Sequence, residues 1–169
     1  TAEIVDFLSG WFGPYPFDAA GGYVPEVTSR FSLEAQTRVF YSPSFFTTKA
    51  DSDVVAHELA HQWWGDDVSL ERWSDIWLNE GFATYAELLW AEHEHLGTPQ
   101  QLARDIYDAH PAGDPFWTVK PGDPGPENQF DDAVYDRGAV AIQALRDTVG
   151  DHAFRALADY RWNGPAWVR

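Results

Sequence analysis

The sequence contains no cysteine, few basic residues and no long apolar run. The absence of cysteine excludes disulfides and thiolate metal sites, so any metal must be bound through nitrogen and oxygen atoms. Only 11 lysines and arginines are present, compared with 27 aspartates and glutamates. The resulting formal charge of −16 argues against nucleic acids and anionic membrane surfaces as partners. No apolar segment approaches the roughly 20 residues that a membrane span requires.

The length and the hydrophobic content indicate a single domain. The chain has 169 residues, of which 44% are hydrophobic and 16% aromatic, enough to bury a sizeable core. The last ten residues, 160–169, carry large aromatic side chains and no polar tail, and we interpret residues 1–169 as one domain excised from a longer protein. The sequence leaves the localisation open and only slightly favours a secreted or cell-envelope position over the cytoplasm.

The order of secondary-structure elements predicts a short β region followed by long helices. Glycines and prolines limit the first helix to about Leu8, and β-branched and aromatic residues predict a strand over 33–41. Helices are then predicted from Asp51 to Gly65, from Ser74 or Asp75 toward Gly97, from Thr98 to about His110, from Asp132 to Val149 and from Asp151 to about Tyr160. This pattern is typical of the α+β class, predominantly helical, with a small N-terminal sheet portion.

A metal-binding pattern lies in the first of these long helices, in the segment His57-Glu58-Leu59-Ala60-His61. Side chains four residues apart lie on one helix face, so both imidazoles can reach one ion at roughly 2.0 to 2.1 Å. Glu58 lies beside them, where its carboxylate can contact a metal-bound water without binding the metal. The alternative is a buried helix face with Glu58 in a salt bridge. Burying these polar groups uncompensated would cost several kcal/mol, which favours the metal.

Glu80 is the predicted third ligand, because a catalytic zinc requires three protein ligands and one open position. It follows His61 by 19 residues, enough for the chain to finish one helix, cross a loop and enter an antiparallel helix. Glu87 lies on the same helical face as Glu80 and could support a ligand, although an ordinary salt bridge is favoured. His93 and His95 point to different sides of their helix and are interpreted as solvated surface. One zinc ion is therefore expected.

Three segments carry a specific combination of residues: His57-Glu58-Leu59-Ala60-His61-Gln62-Trp63-Trp64-Gly65-Asp66, Trp77-Leu78-Asn79-Glu80-Gly81-Phe82-Ala83 and Val134-Tyr135-Asp136-Arg137-Gly138-Ala139. In this order and at this spacing they resemble the aminopeptidase N and leukotriene hydrolase family of gluzincin zinc metallopeptidases. The resemblance covers roughly residues 11–150. It implies a thermolysin-like zincin catalytic domain with the metal between two helices, a peptide substrate, and other domains in the full-length chain.

The resemblance also implies roles for two further residues. Tyr135 corresponds to the family tyrosine whose hydroxyl stabilises the oxyanion formed when water attacks the scissile carbonyl. Glu34 corresponds to the glutamate that binds the free α-amine of the substrate. The family usually has Gly-Ala-Met-Glu-Asn at this point, whereas this chain has Phe31-Ser32-Leu33-Glu34-Ala35, so the glycine and the asparagine are absent. Without the family, Tyr135 would be an ordinary amphipathic-helix residue and Glu34 a surface strand residue.

Together, the residues and the resemblance predict zinc-dependent hydrolysis of peptide bonds with release of N-terminal amino acids. Glu58 is expected to take a proton from the attacking water and to return it to the leaving amine. Two alternatives stay open. A gluzincin endopeptidase would use the same metal site and ignore the free amine, and a zinc-binding catalytic-domain fragment would have little activity on its own.

Overall fold

The computed structural model describes residues 1–27, 29–47 and 51–159, and every structural statement below refers to these residues. Within them the chain forms six α-helices, which are α1 (Ala2–Phe12), α2 (Ser52–Ala60), α3 (Trp77–His93), α4 (Pro99–Asp108), α5 (Asp132–Val149) and α6 (Asp151–Ala158). Two short strands, β1 (Gly22–Tyr23) and β2 (Val39–Phe40), pair in parallel. The architecture is therefore α+β and predominantly helical with a small N-terminal sheet, as predicted.

Capping residues determine where several helices begin. The Asp51 carboxylate accepts hydrogen bonds from the backbone N–H groups of Asp53 and Val54, which satisfies two donors of the first turn of α2. Thr98 caps α4 by accepting from the Gln101 N–H at 3.1 Å, and a proline occupies the first helical position. These caps lie where the sequence predicts them.

Two helices have different bounds from those predicted. The first helix continues past Leu8 to Phe12, because Leu8, Trp11 and Phe12 are all buried and core packing outweighs the helix-breaking tendency of Gly10. The second ends at Ala60 rather than at Gly65, and the chain continues through turns. The predicted end of the last helix at about Tyr160 lies outside the described residues.

The predicted strand over 33–41 is interrupted by a tight turn. The Arg38 N–H donates to the Ala35 carbonyl at 3.0 Å, and Thr37 has a φ of 64°, in the left-handed region. The chain reverses there, so Leu33 pairs with Phe40 in an antiparallel bridge. The strand prediction was wrong over 34–38, because the alternation of residues contains no signal for this reversal.

Helix α3 lies at the centre of the fold and packs against α2 on one side and α5 on the other. Aromatic stacking joins the turn after α2 to α3, since the rings of Trp64 and Phe82 are parallel at a centroid distance of 4.0 Å. On the other side, α3 and α5 cross at Gly81 and Gly138, where a Cβ atom built on Gly138 would lie 2.8 Å from the Gly81 Cα. The backbones of α3 and α5 therefore meet directly.

No helix among the described residues is both long enough and apolar enough to cross a membrane.

Candidate metal centre and active-site cavity

Three side chains from α2, its C-terminal turn and α3 converge on one point. The Nε2 atoms of His57 and His61 are 3.2 Å apart, and the Glu80 Oε2 atom lies 3.4 Å from the first and 3.3 Å from the second. His61 and Glu80 are buried, and His57 is partly exposed. This helical i, i+4 pair and the carboxylate from the antiparallel helix therefore meet as the sequence predicts.

The spacing of these three atoms fits a zinc ion. Tetrahedral ligands that each lie at 2.0 to 2.1 Å from a common ion are about 3.3 to 3.4 Å from one another, which matches the observed separations. Hydrogen bonds to His57 and His61 lower the pKa of Glu80 to about 2 despite its burial, so this carboxylate is ionised. Glu80 is therefore ready to bind a cation.

The outer nitrogens of both histidines are also bound. Nδ1 of His57 lies 2.6 Å from the Glu87 Oε1 atom, and Nδ1 of His61 lies 3.1 Å from the Trp64 carbonyl oxygen. Because both partners are acceptors, each Nδ1 donates to its partner, which leaves each Nε2 facing the common point, where it could bind a metal ion. The sequence placed Glu87 on the correct face but favoured an ordinary salt bridge. The structure instead gives it a bond to a candidate metal ligand.

Glu58 lies between the two histidines in sequence and lines the same cavity as they do. Burial raises the pKa of its carboxyl to about 7, although the nearby His57 and His61 partly oppose this shift. A carboxyl group with a pKa near neutrality can both accept and donate a proton at physiological pH. Glu58 is not one of the three converging ligands, so its carboxylate stays available for that work.

Tyr135 enters the cavity from the first turn of α5. Its ring stacks on the His57 ring at a centroid distance of 5.9 Å, and its hydroxyl is close enough to Glu80 to interact with that carboxylate. Burial and the surrounding carboxylates raise the pKa of Tyr135, so the phenol keeps its proton at neutral pH. A neutral O–H donor therefore lies beside the candidate metal ligands.

The cavity that contains these groups has a volume of about 720 Å³. Glu34 lines it from the chain segment that precedes the turn at Thr37, so the cavity brings together every site residue that the sequence predicts. Its outer part is apolar, with the exposed side chains of Phe31, Trp73 and Phe130 at the rim. A cavity of this size and composition accommodates part of a peptide or a comparable organic molecule.

Gln62 is a residue of the site that the sequence analysis did not identify. It is fully buried, follows His61 directly and hydrogen-bonds the backbone of the segment that carries Glu34. A glutamine within a helix pattern gives no sequence signal for such a role, because its partners lie more than 20 residues away.

Two imidazoles and one carboxylate, with a further glutamate beside them, form the arrangement of zinc-dependent peptidases of the thermolysin type. Comparison with known proteins narrows this class. The Peptidase family M1 domain matches residues 35–161. Human endoplasmic reticulum aminopeptidase 2 is 36% identical in an alignment of 182 positions, gaps included, that covers 92% of this chain. The chain belongs to peptidase family M1.

Solved structures agree with the sequence relatives. An M1 zinc metallopeptidase from Deinococcus radiodurans matches 93% of this chain with a TM-score of 0.78 and 40% identity. A mutant of the Deinococcus radiodurans protein bound to a Tyr-Ser-Ala substrate matches with the same score and identity. The family and the donor set together indicate zinc as the cofactor. This chain spans 18% of the human relative and 34% of the Deinococcus structure.

Proposed function

We propose that this chain is the catalytic domain of a zinc aminopeptidase, which removes amino acids from the N-terminus of peptides. The observation that supports this most strongly is the convergence of His57, His61 and Glu80 at 3.2 to 3.4 Å, in a cavity that Glu58 also lines. These three residues would hold one zinc ion. Because the relatives are several times longer, we propose that the domain acts together with other domains of its full-length chain.

Each remaining site residue then has one task. Bound zinc supplies Lewis-acid activation of water and of the scissile carbonyl. Glu58 takes the proton from the attacking water and delivers it to the leaving amine. Tyr135 donates its hydroxyl hydrogen to the oxygen that becomes negative during the attack. Glu34 accepts hydrogen bonds from the α-ammonium group of the substrate and so selects free N-termini.

The apolar rim of the cavity supports peptides as substrates. A peptide that enters past Phe31, Trp73 and Phe130 exchanges water for aromatic and aliphatic contacts, which favours binding without any specific charge. The carboxylates inside the cavity favour a cationic group at its inner end. An N-terminal ammonium group followed by a peptide chain has this distribution of charge.

The replacement of Glu58 by Gln tests the mechanism. The variant should keep stoichiometric zinc, because Glu58 is not a ligand, and should lose turnover by at least about 10²-fold, because the amide cannot accept the proton. Zinc is measured by elemental analysis and turnover with amino-acid anilides. Retained turnover would remove Glu58 from the mechanism, and lost zinc would remove the assignment of the ligands.

The specificity for free N-termini is tested with the same anilides carrying an N-terminal acetyl group. We expect cleavage of the unblocked substrates only, because an acetylated amine carries no charge for Glu34 to bind. Equal cleavage of blocked substrates would support the endopeptidase alternative, in which the metal site is used and the amine is ignored. Stoichiometric zinc without any turnover would support an incomplete catalytic domain.

A further inference from the structure

The buried amide of Gln62 joins the metal-binding helix to the segment that carries Glu34. Its Nε2 atom donates to the backbone carbonyl of Glu34 at 3.2 Å. Its Oε1 atom accepts from the Thr37 N–H at 2.7 Å and from the Tyr15 hydroxyl at 3.1 Å. The side chain therefore makes three hydrogen bonds, and it has no exposed surface.

The partners of Gln62 fix the orientation of its amide. A carbonyl oxygen can only accept and a backbone N–H can only donate, so the NH₂ group must face Glu34 and the oxygen must face Thr37. Reversal of the amide would place its NH₂ group against the Thr37 N–H and its oxygen against the Glu34 carbonyl. The hydrogen bonds to Glu34 and Thr37 can therefore form in one orientation of the amide only, and together they hold both ends of the turn over 34–37.

This turn needs support from outside, because Thr37 has a φ of 64°. A β-branched residue is unfavourable in the left-handed region and persists there only where surrounding contacts determine its conformation. The hydrogen bond from the Thr37 N–H to Gln62 is the contact that reaches it from the turn after α2. Without an acceptor at that point, the Thr37 N–H loses this hydrogen bond, and the left-handed conformation of Thr37 is no longer stabilised by it.

We propose that Gln62 is a positioning residue that sets the location of Glu34 relative to the metal ligands. This inference rests on the proposed function, in which Glu34 binds the α-ammonium group. His61 and Gln62 are neighbours in the chain, and their side chains reach the metal ligands and the amine-binding segment respectively. The peptide unit between His61 and Gln62 thus fixes the distance from Glu34, which binds the amine, to the metal ligands. Gln62 touches no substrate atom in this role.

The replacement of Gln62 by Met tests the inference, since methionine has a similar volume and forms none of the three hydrogen bonds. The control is Gln143→Met. Gln143 is also buried, and its amide bonds Tyr85 and Asp147 away from the cavity. Both variants are prepared in the zinc-loaded protein, and KM and kcat are measured for unblocked and N-acetylated anilides. Hydrogen exchange of the Thr37 amide reports the turn directly.

For Gln62→Met we expect KM for the unblocked substrates to rise about tenfold, with kcat changed by less than about threefold. Zinc content and the lack of cleavage of acetylated substrates should stay as in the parent, and the Thr37 amide should exchange faster. Gln143→Met should change none of these values beyond a general loss of stability. Identical KM values and identical Thr37 exchange in the two variants would overturn the inference.

Two further variants keep the test decisive. Tyr15→Phe removes one donor to Gln62 and leaves the amide in place, so it should raise KM in the same direction by a smaller factor even if Gln62→Met does not fold. An unchanged KM in Tyr15→Phe, together with an unfolded Gln62→Met, would overturn the inference. Glu34→Gln distinguishes the amine-binding role of Glu34 from the positioning role of Gln62. If its KM for unblocked substrates is unchanged, the amine-binding role itself fails, whereas a raised KM there with no effect of Gln62→Met refutes the role of Gln62 alone.

Discussion

The contact between Gly81 and Gly138 determines how closely α3 approaches α5, and Gly138→Ala should disrupt it. The added Cβ would lie 2.8 Å from the Gly81 Cα and 3.4 Å from the Trp77 carbonyl oxygen. Carbon atoms in ordinary contact are about 3.5 to 4.0 Å apart, so the helices must separate by roughly 1 Å. Backbone atoms form the obstacle, and no side chain can rotate to relieve it.

The separation should cost both stability and rate. Overpacking of this kind destabilises by about 1 to 3 kcal/mol, and the better helix propensity of alanine returns up to about 1 kcal/mol, so we expect a net loss of about 1 to 2 kcal/mol. Glu80 precedes Gly81 on α3, and Tyr135 lies one turn before Gly138 on α5. A displacement of about 1 Å between these groups should lower kcat by roughly 10- to 100-fold.

Urea unfolding and steady-state kinetics measure the two effects, and Gly10→Ala is the matched control. Gly10 lies in α1, where an added Cβ meets nothing within 4 Å, so alanine should stabilise the protein by about 0.5 to 1 kcal/mol without changing kcat. A Gly138→Ala variant that equals the parent in both stability and kcat would refute the reasoning. A loss of stability with unchanged kcat would refute only the link between helix spacing and catalysis.

Two other substitutions test single contacts. Glu87→Gln should weaken zinc affinity about 10- to 100-fold, measured by chelator competition, because the His57 Nδ1 atom loses its carboxylate partner. The control is Glu94→Gln at an exposed position. Equal zinc affinities of the two variants would contradict the role of Glu87. Asp66→Asn should stabilise the protein by about 1 kcal/mol at pH 8, a figure reduced for its half-exposed carboxyl, and by nothing near pH 4. Burial and Glu34 raise the folded-state pKa of Asp66 to about 6 from 3.8. The destabilising effect of the ionised carboxylate therefore develops as pH rises from 3.8 to about 6. An equal gain in stability at pH 4 and pH 8, measured by thermal unfolding, would contradict this cause.

The candidate ligands could be predicted from the sequence because their geometry is local or follows from helix topology. The i, i+4 spacing of His57 and His61 fixes their common face, and the position of Glu80 near the start of the next long helix brings it opposite them. Caps such as Asp51 and Thr98 are equally local, because each side chain bonds an amide two or three residues further along. Tyr135 and Glu34 depended on the family resemblance, and their roles stay predictions.

The features that the sequence did not reveal depend on long-range contacts. The turn at Thr37 is held by an acceptor 25 residues away, so no window around Thr37 contains the reason for its conformation. Gly81 and Gly138 each look like a glycine that destabilises its helix, and only the close contact between them explains why both positions lack a side chain. The bond from Glu87 to His57 depends on the rotation of one helix against another, which a periodic pattern does not specify.

The hydrogen bonds of Gln62 with the Glu34 segment are independent of the side chains beside Glu34. Because the amide contacts backbone atoms of this segment, it contacts neither the side chain of Ala35 nor that of Phe31. Substitution of either neighbour is therefore expected to leave the location of Glu34 unchanged.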